Sequence, residues 1–334
     1  MESSLERKSS RNHIARLLQD DWYGDLATIL TTILEGTHEF FSSEGIRPLL
    51  FPITTGSVSS PMGYGSDSLP VQVNIKNNDV YLSDSMQFSL EIGARMFPNG
   101  AYYIMPSFRG EEVDERHLNE FFHSEAEIHG SLQDVMALVE RYLVFLARRT
   151  LSAASSLKQE YDLSHVKKFV EEPASFFNHI RYDEAVSQLR AIPGALDQCE
   201  TGYEVISSLG ERELMKIHGE FTWLTHMPWL NVPFYQSREG DTAYSLSADL
   251  LAGIGEIVGC GQRVNSPEEL AASMEYHRIR SEQYSWYAEM RDVRPLQTSG
   301  FGLGIERFIL WFTNKKDIRE CSLLLRNHRT ISWP

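Results

Sequence analysis

Residues 300–308 of the chain read GFGLGIERF, so that three alternating glycines run directly into an apolar helix carrying Arg307. Glycines at alternate positions of a strand leave one face of that strand without side chains, and a flat ring can lie against the bare backbone. An arginine just inside the following helix offers a permanently charged fork of hydrogen-bond donors to a polyphosphate. A glycine-rich turn with a surface arginine gives the same pattern, so a second motif has to separate the two interpretations.

The second motif lies in residues 108–121. Phe108-Arg109-Gly110-Glu111 is followed, after a short polar loop, by Arg116-His117-Leu118-Asn119-Glu120-Phe121. Together with residues 300–308, these segments resemble motifs 2 and 3 of the class II aminoacyl-tRNA synthetases. The best match is the catalytic domain of the aspartyl/asparaginyl branch. The resemblance covers roughly residues 20–334 and is close after Val80.

The resemblance implies an α+β fold, an antiparallel sheet flanked by helices. We expect a flexible tail over residues 1–20 and a catalytic domain over residues 21–334, with a helical insertion near residues 150–220. The tRNA enzymes of this branch carry an N-terminal anticodon-binding barrel, for which we expect no room in this chain. Ser59-Ser60-Pro61 and Ser83-Asp84-Ser85-Met86 look more like a truncated paralogue, the archaeal asparagine synthetases related to asparaginyl-tRNA synthetase.

The composition is typical of a globular enzyme. The 334 residues are 42% hydrophobic and 23% charged, and residues 1–13 lack the apolar core of a secretory signal. No run of about eighteen apolar residues is present, and three scattered cysteines fit reduced thiols, so we expect a cytoplasmic protein with no membrane partner. The net charge of −15 opposes the binding of nucleic acid, so we expect no tRNA partner.

Hydrophobic periodicity predicts the elements that carry these motifs. An amphipathic helix over residues 25–42 leads into an apolar strand over residues 48–52. In the family this unit is motif 1, the interface of a homodimer, and we expect the same partner here. Alternation predicts antiparallel strands over residues 102–108 and 120–128, followed by a helix over residues 132–149. The other predictions are strands at 71–75, 80–82 and 243–263, helices at 85–95 and 281–291, and a loop at 54–70.

The resemblance implies a reaction in which ATP activates a carboxylate. Arg109 would bind the α-phosphate and the attacking carboxylate, and it would stabilise the charge that builds up in the transition state. The ring of Phe121 would stack on adenine, with Glu111 and His117 at the adenine edge and the outer phosphates. The full set implied for ATP is Arg109, Glu111, His117, Phe121, Gly302, Gly304 and Arg307, with Arg109 and Arg307 as catalytic residues.

Asp249 and Glu256 lie seven residues apart in the stretch SADLLAGIGE. Two acidic residues in a strand-turn-strand can converge on a hard cation. The resemblance makes them the ligands of Mg²⁺ bridging the ATP phosphates, with the spacing found in the aspartyl enzymes. A surface aspartate and a turn glutamate are the alternative, although the stretch is apolar.

The resemblance also implies a pocket for a small amino acid. Arg263 matches the arginine that holds the side-chain oxygen of the substrate. Gln87 matches a glutamine that contacts its ammonium or carboxyl group, and Glu125 falls where the family places an acid for the ammonium. We interpret the neighbouring Glu127 as structural.

The resemblance implies that Leu90-Glu91 is the position that selects the side chain of the substrate. Aspartyl enzymes carry a lysine at the position of Leu90, whereas Leu-Glu is the asparaginyl pattern, in which the acid accepts from the amide of the substrate. An oxygen at Arg263 and an N–H group at Glu91 suit asparagine. They equally suit the α-carboxylate and α-ammonium of aspartate bound in reverse, with the β-carboxylate offered to ATP.

The resemblance thus implies a homodimeric ATP-dependent ligase. We expect it to activate a carboxylate of aspartate, or of a close analogue, as the acyl-adenylate and to transfer it to ammonia or a small amine, releasing AMP and pyrophosphate. One alternative is a stand-alone enzyme that loads Asp or Asn onto a carrier protein, a protein side chain or an RNA. Another is a catalytically dead regulatory paralogue, against which the intact Arg109, Arg307, Asp249 and Glu256 argue.

Overall fold

The computed structural model of the chain describes residues 13–60, 69–199 and 202–326. The helices in these ranges are α1 His13–Gln19, α2 Asp21–Ser43, α3 Gln87–Met96, α4 Leu132–Ala153, α5 Ser164–Glu171, α6 Tyr182–Leu189, α7 Ser208–His218, α8 Pro267–Tyr276, α9 Ser285–Val293 and α10 Ile305–Thr313. The strands are β1 Arg47–Pro48, β2 Thr54–Thr55, β3 Val71–Ile75, β4 Asn78–Leu82, β5 Ala101–Phe108, β6 Glu120–His129, β7 Phe177–Arg181, β8 Leu196–Gln198, β9 Glu204–Ile206, β10 Phe221–Thr225, β11 Ser247–Ala252, β12 Gly255–Gln262 and β13 Thr298–Gly304.

Eight of these strands form one sheet in the order β1-β5-β6-β13-β12-β11-β10-β7. The edge strands β1 and β7 run parallel to their neighbours, and the pairs between them are antiparallel. Strands β2, β3 and β4 form a smaller sheet, and β8 pairs with β9. The predicted α+β fold, an antiparallel sheet flanked by helices, is confirmed.

Helices α2 and α4 pack together against the large sheet because each carries an apolar stripe. Leu26, Ile33 and Phe41 of α2 and Val139 and Leu146 of α4 are buried in one cluster with the sheet. Burying such side chains stabilises the fold by roughly 1.5–3 kcal/mol each. This packing covers one face of the central strands and leaves the opposite face for a binding site.

A hydroxyl network fixes the distance between α4 and the sheet. The hydroxyl of Tyr142 lies 2.7 Å from Oγ1 of Thr37 in α2 and 2.8 Å from Oγ of Ser124 in β6. All three groups are buried, and a buried hydroxyl without a partner is unfavourable. Helix α4 begins at a capping box of Ser131 and Asp134.

The strands and helix predicted around motif 2 are confirmed as β5, β6 and α4. The strand predicted over residues 48–52 is shorter, because in β1 only Arg47 and Pro48 pair with β5. Proline has no N–H to donate to a ladder, which limits pairing at such an edge.

The predicted helical insertion near residues 150–220 also contains strands. Helices α5, α6 and α7 are accompanied by β7, β8 and β9, and β7 extends the large sheet by pairing with β10. The sequence of β7, FNHIR, lies at a sheet edge with one buried residue, so it lacks the alternation that marks a strand.

The predicted tail over residues 1–20 differs in its second part, because His13–Gln19 form helix α1. Residues 1–12 of this tail and residues 61–68 of the predicted loop lie outside the described ranges. Of the helices in the described ranges, none is both long enough and apolar enough to cross a membrane.

Candidate active site

One face of strand β6 carries most of the ionisable side chains of the site. Because side chains alternate along a strand, Phe121, His123, Glu125 and Glu127 share one face, and Ala126 points into the core on the other. Both glutamates are fully buried, at 0% exposure. Two neighbouring buried acids need space and hydrogen-bond partners, and the adjacent strands supply both.

Strand β13 meets these acids with its glycines. Gly300 pairs with Glu127 and Gly302 with Glu125. A Cβ on Gly300 would overlap the Glu127 carboxylate, and a Cβ on Gly302 would lie 2.8 Å from Oε1 of Glu125. Gly304 has no such neighbour, since the nearest atom to its Cβ position, on Arg307, is 3.6 Å away. Gly300 and Gly302 therefore make room for the buried acids as well as leaving bare backbone.

A cleft of about 250 Å³ opens beside β6 and β13. All seven residues that the sequence assigns to ATP line it: Arg109, Glu111, His117, Phe121, Gly302, Gly304 and Arg307. The guanidinium of Arg109 lies 5.7 Å from the centre of the Phe121 ring. Among the described residues, Nε of Arg109 and Nε of Arg116 are buried without a hydrogen-bond partner. Orphaned cationic donors of this kind fit an anionic ligand.

Arg307 enters the cleft from the first turn of α10. It donates to the backbone carbonyl of Glu256, and its Nη1 lies 3.6 Å from Oε2 of the same residue. Burial lowers the pKa of Arg307 below its ordinary value, and the Glu256 carboxylate opposes that shift. A bound phosphate would add a second negative partner to this guanidinium.

The side chain of Asn119 holds the base of the motif 2 loop, residues 112–115, by donating to two backbone carbonyls. Nδ2 of Asn119 donates to the carbonyl of Arg109 at 2.8 Å and to that of Glu111 at 2.7 Å. Glu111 accepts from the N–H of Leu69 through Oε1, and its Oε2 is buried without a partner in the described ranges. Nδ1 of His117 lies 2.9 Å from Asp114, so this half-exposed ring is paired within the loop.

Asp249 of β11 and Glu256 of β12 converge over Gly259. A Cβ on Gly259 would lie 2.9 Å from Oε1 of Glu256 and 3.5 Å from Oδ1 of Asp249. Burial, followed by the charge of Glu256, raises the pKa of Asp249 well above its ordinary value, and a cation between the two carboxylates would relieve this. In the described ranges no group of three or more His, Cys, Asp or Glu forms a metal site. Mg²⁺ is commonly held by one or two carboxylates together with substrate phosphates, which this pair fits.

A second cavity of about 350 Å³ adjoins the cleft. Glu125 lies in its wall and accepts hydrogen bonds from the hydroxyl of Tyr103 and, at 2.7 Å, from Ser85. Burial raises the pKa of Glu125 to about 7, against the effect of these hydrogen bonds. Burial and the charges of Arg109 and Arg307 lower the pKa of His123 to about 3, so its ring is neutral.

Neither Arg263 nor Glu91 lines this cavity. Arg263 is 1% exposed and forms a buried ion pair with Glu127 at 3.0 Å. Glu91 accepts from Arg291 at 3.0 Å, from Arg95 at 3.2 Å and from the hydroxyl of Tyr287. The predicted contacts of Arg263 and Glu91 with a substrate stay predictions, whereas Gln87 and Glu125 both face the cavity.

Several residues of the site were missed by the sequence interpretation. Tyr103 pairs with Glu125 in the strand register, so the antiparallel prediction for β5 and β6 could have found it. Both carboxylate oxygens of Glu306 accept from the N–H of Phe122, at 3.1 and 3.2 Å, which fixes the backbone beside Phe121. Gln236, which also lines the cavity, had no local signal.

The chain matches the family model of tRNA synthetases class II (D, K and N) over residues 7–328. An asparagine–tRNA ligase of Koribacter versatilis is 30% identical in an alignment of 298 residues that covers 86% of this chain and 65% of that protein. A probable cytoplasmic asparagine–tRNA ligase of Encephalitozoon cuniculi is 32% identical in an alignment of 261 residues that covers 74% of this chain and 56% of that protein. The chain therefore spans less than two thirds of the length of these curated relatives.

Solved structures show the same fold over nearly the whole chain. Asparaginyl-tRNA synthetase from Pyrococcus horikoshii, complexed with asparaginyl-adenylate, superposes with a TM-score of 0.86 at 24% identity, covering 99% of this chain and 74% of that one. Aspartyl-tRNA synthetase from Entamoeba histolytica superposes with a TM-score of 0.77 at 19% identity, covering 99% of this chain and 64% of that one.

Gly300 and Gly304 form a matched pair for testing the space around the buried acids. We expect Gly300→Ala to lower the free energy of unfolding by about 1–3 kcal/mol or more, because its methyl group would displace Glu127 and Arg263. Gly304→Ala adds the same group at ordinary van der Waals distance from Arg307, so the free energy of unfolding should change far less. Urea denaturation measures both variants, and equal stability losses would contradict the proposed close packing.

Proposed function

The chain belongs to the tRNA synthetases class II (D, K and N), and from this membership we propose that it is an ATP-dependent ligase acting on an aspartate-like amino acid. It activates a carboxylate of aspartate as the acyl-adenylate. It then transfers the acyl group to ammonia or a small amine and releases AMP and pyrophosphate. No nucleophilic side chain is required, because the adenylate is already the activated species.

One observation carries this proposal: Arg109 lines both the cleft and the adjoining cavity. A nucleotide in the cleft and an amino acid in the cavity would meet at this guanidinium. It would gather a phosphate and a carboxylate that repel each other, and it would stabilise the charge of the transition state. The orphaned Nε of Arg109 supports an anionic ligand at this point.

The other cleft residues would hold the nucleotide. The ring of Phe121 and the backbone of Gly302 and Gly304 would enclose adenine, with Glu111 at its edge. Arg307 would bind a phosphate, and His117 would contact the outer phosphates. The carboxylates of Asp249 and Glu256 would hold Mg²⁺, which supplies positive charge to the phosphates when bound.

In the cavity, Glu125 would bind the ammonium of the amino acid and Gln87 a further polar group. The acidic motif 2 loop over residues 112–115 and the net charge of −15 favour ammonia or a small amine over RNA as the acceptor. The second candidate function is the transfer of Asp or Asn to a tRNA, which is supported by the names of the curated relatives.

Amino-acid-dependent exchange of pyrophosphate into ATP tests the activation step. We expect exchange with aspartate, and a loss of about 10²–10³-fold in Arg109→Ala and in Arg307→Ala, because each removes a charged donor used in the transition state. Arg148→Ala, which removes an exposed arginine of α4, is the matched control. Near-normal exchange in either site variant would contradict the assignment.

The exchange rate should also depend on the protonation of Glu125. Because its pKa is raised to about 7, this carboxyl group is neutral below that pH and charged above it. We expect kcat/KM for the amino acid to fall by about tenfold per pH unit below pH 7, since a neutral acid binds an ammonium poorly. The pKa of His123 lies near 3, so its ring does not titrate in this window. A flat profile in wild type, or the same slope in Glu125→Gln, would contradict the role of Glu125.

We further propose that the chain forms a homodimer through α2 and residues 48–52. Leu34 of α2 is 42% exposed, Leu50 is 91% exposed, and Met96 at the end of α3 is 65% exposed. Large exposed apolar side chains are typical of interfaces when they form one patch, and we propose that these three do so. We expect the interface to bury more than about 2,000 Å² in total. Light scattering at micromolar concentration should then give the mass of a dimer. A monomeric mass, or a dimer unaffected by Leu50→Glu, would contradict this interface.

A further inference from the structure

Two glutamine side chains separate Arg263 from the cavity. Oε1 of Gln87 accepts from Nη2 of Arg263 at 2.7 Å, and Oε1 of Gln236 accepts from Nη1 at 3.1 Å. Arg263 itself is buried and lies outside the cavity wall, whereas both glutamines line the cavity. A ligand at this end of the cavity would meet the two amides.

The orientation of both amides follows from chemistry. Arginine carries donors and no acceptor, so the amide atom that faces it has to be the carbonyl oxygen. The NH₂ group of each glutamine is then on the other side of the amide. In the described ranges, neither NH₂ group has a hydrogen-bond partner, and neither is a fully buried orphan. Turning an amide round would set N–H groups against N–H groups, which is unfavourable for a buried arginine.

Gln236 is held in this position by its surroundings. The backbone carbonyl of Gln236 accepts from the indole N–H of Trp229 at 3.0 Å, and its backbone pairs with Arg263 in an isolated bridge. Its side-chain amide lies against Gly261, where any Cβ would overlap its oxygen. Gln236 as a whole is 7% exposed. The amide is therefore preorganised before a ligand enters.

The carboxylate of Glu91 is not available to accept a hydrogen bond from a substrate in this cavity, because other side chains bind it. Glu91 is the residue expected to accept from a substrate amide, but its carboxylate is bound by Arg95, Arg291 and Tyr287. This end of the cavity thus offers N–H groups from Gln87 and Gln236. Asparagine bound for activation of its α-carboxylate would bring an amide here, with one oxygen that can accept from these groups and an NH₂ group that cannot. Aspartate places a carboxylate here in either orientation, whichever of its two carboxylates is activated.

We infer that Gln236 is a specificity-determining residue that, with Gln87, binds a carboxylate of the substrate and so selects aspartate over asparagine. This inference rests on the proposed function, because it takes the cavity to be the amino-acid site. It assigns Arg263 a positioning role, since the guanidinium orients both amides and Glu127 balances its charge.

The test compares aspartate with asparagine in wild type and in two variants of Gln236. Gln236→Met keeps a side chain of similar length without the donor, and we expect the dissociation constant and KM for aspartate to rise about 10-fold to 100-fold. The KM for ATP should stay unchanged. Gln236→Glu keeps one oxygen on Arg263 and turns a second oxygen to the cavity, so the preference should shift from aspartate towards asparagine. Gln198→Glu makes the same change at an exposed position of β8 and is the control.

Titration calorimetry measures binding and pyrophosphate exchange measures activation, so that the two proposals can fail separately. Aspartate binding that depends on Gln236 without any exchange would overturn the proposed function and support the inference. Tighter binding of asparagine than of aspartate by wild type, or binding of neither, would overturn the inference. An unchanged preference in both Gln236 variants would overturn it as well.

Discussion

The buried ion pair between Arg263 and Glu127 is the interaction on which the site depends. The arginine follows strand β12 and the glutamate lies on β6, with β13 between them, so the pair reaches across the middle strand at Gly300. A buried charge pair is tolerated when its remaining donors are satisfied, and removing one partner leaves an uncompensated charge. Besides Glu127, the guanidinium of Arg263 donates to the side-chain oxygens of Gln87 and Gln236. Gly300, Glu127 and the amides of Gln87 and Gln236 therefore all accommodate the buried charge of Arg263.

The region between residues 150 and 220 shapes the other side of the site. Tyr182 of α6 and Val205 and Ile206 of β9 line the same cavity as Glu125. Arg116 of the motif 2 loop forms an ion pair with Glu211 of α7, so this region also holds the loop that borders the cleft. The part of the chain with the least informative sequence thus contributes both to the shape of the cavity and to the position of the loop.

The sequence predicts those parts of the site that local pattern determines. Residues 108–121 and 300–308 are each continuous, and all seven residues assigned to ATP from these motifs line one cleft. The interpretation of Glu127 as structural agrees with its ion pair. Contacts between distant segments could not be predicted, since Arg263 and Glu127 are 136 residues apart and Arg263 and Gln87 176. The pairing of Glu91 with Arg291, 200 residues away, is equally invisible to local periodicity.

We propose that the chain converts aspartate to its amide through an adenylate. The most direct measurement incubates the protein with ATP, Mg²⁺, aspartate and isotope-labelled ammonium and identifies the products by mass spectrometry. We expect labelled asparagine and AMP in equal amounts, with no product when aspartate or ATP is left out. Formation of AMP without labelled asparagine, together with attachment of the amino acid to added tRNA, would contradict it and favour the aminoacylating alternative.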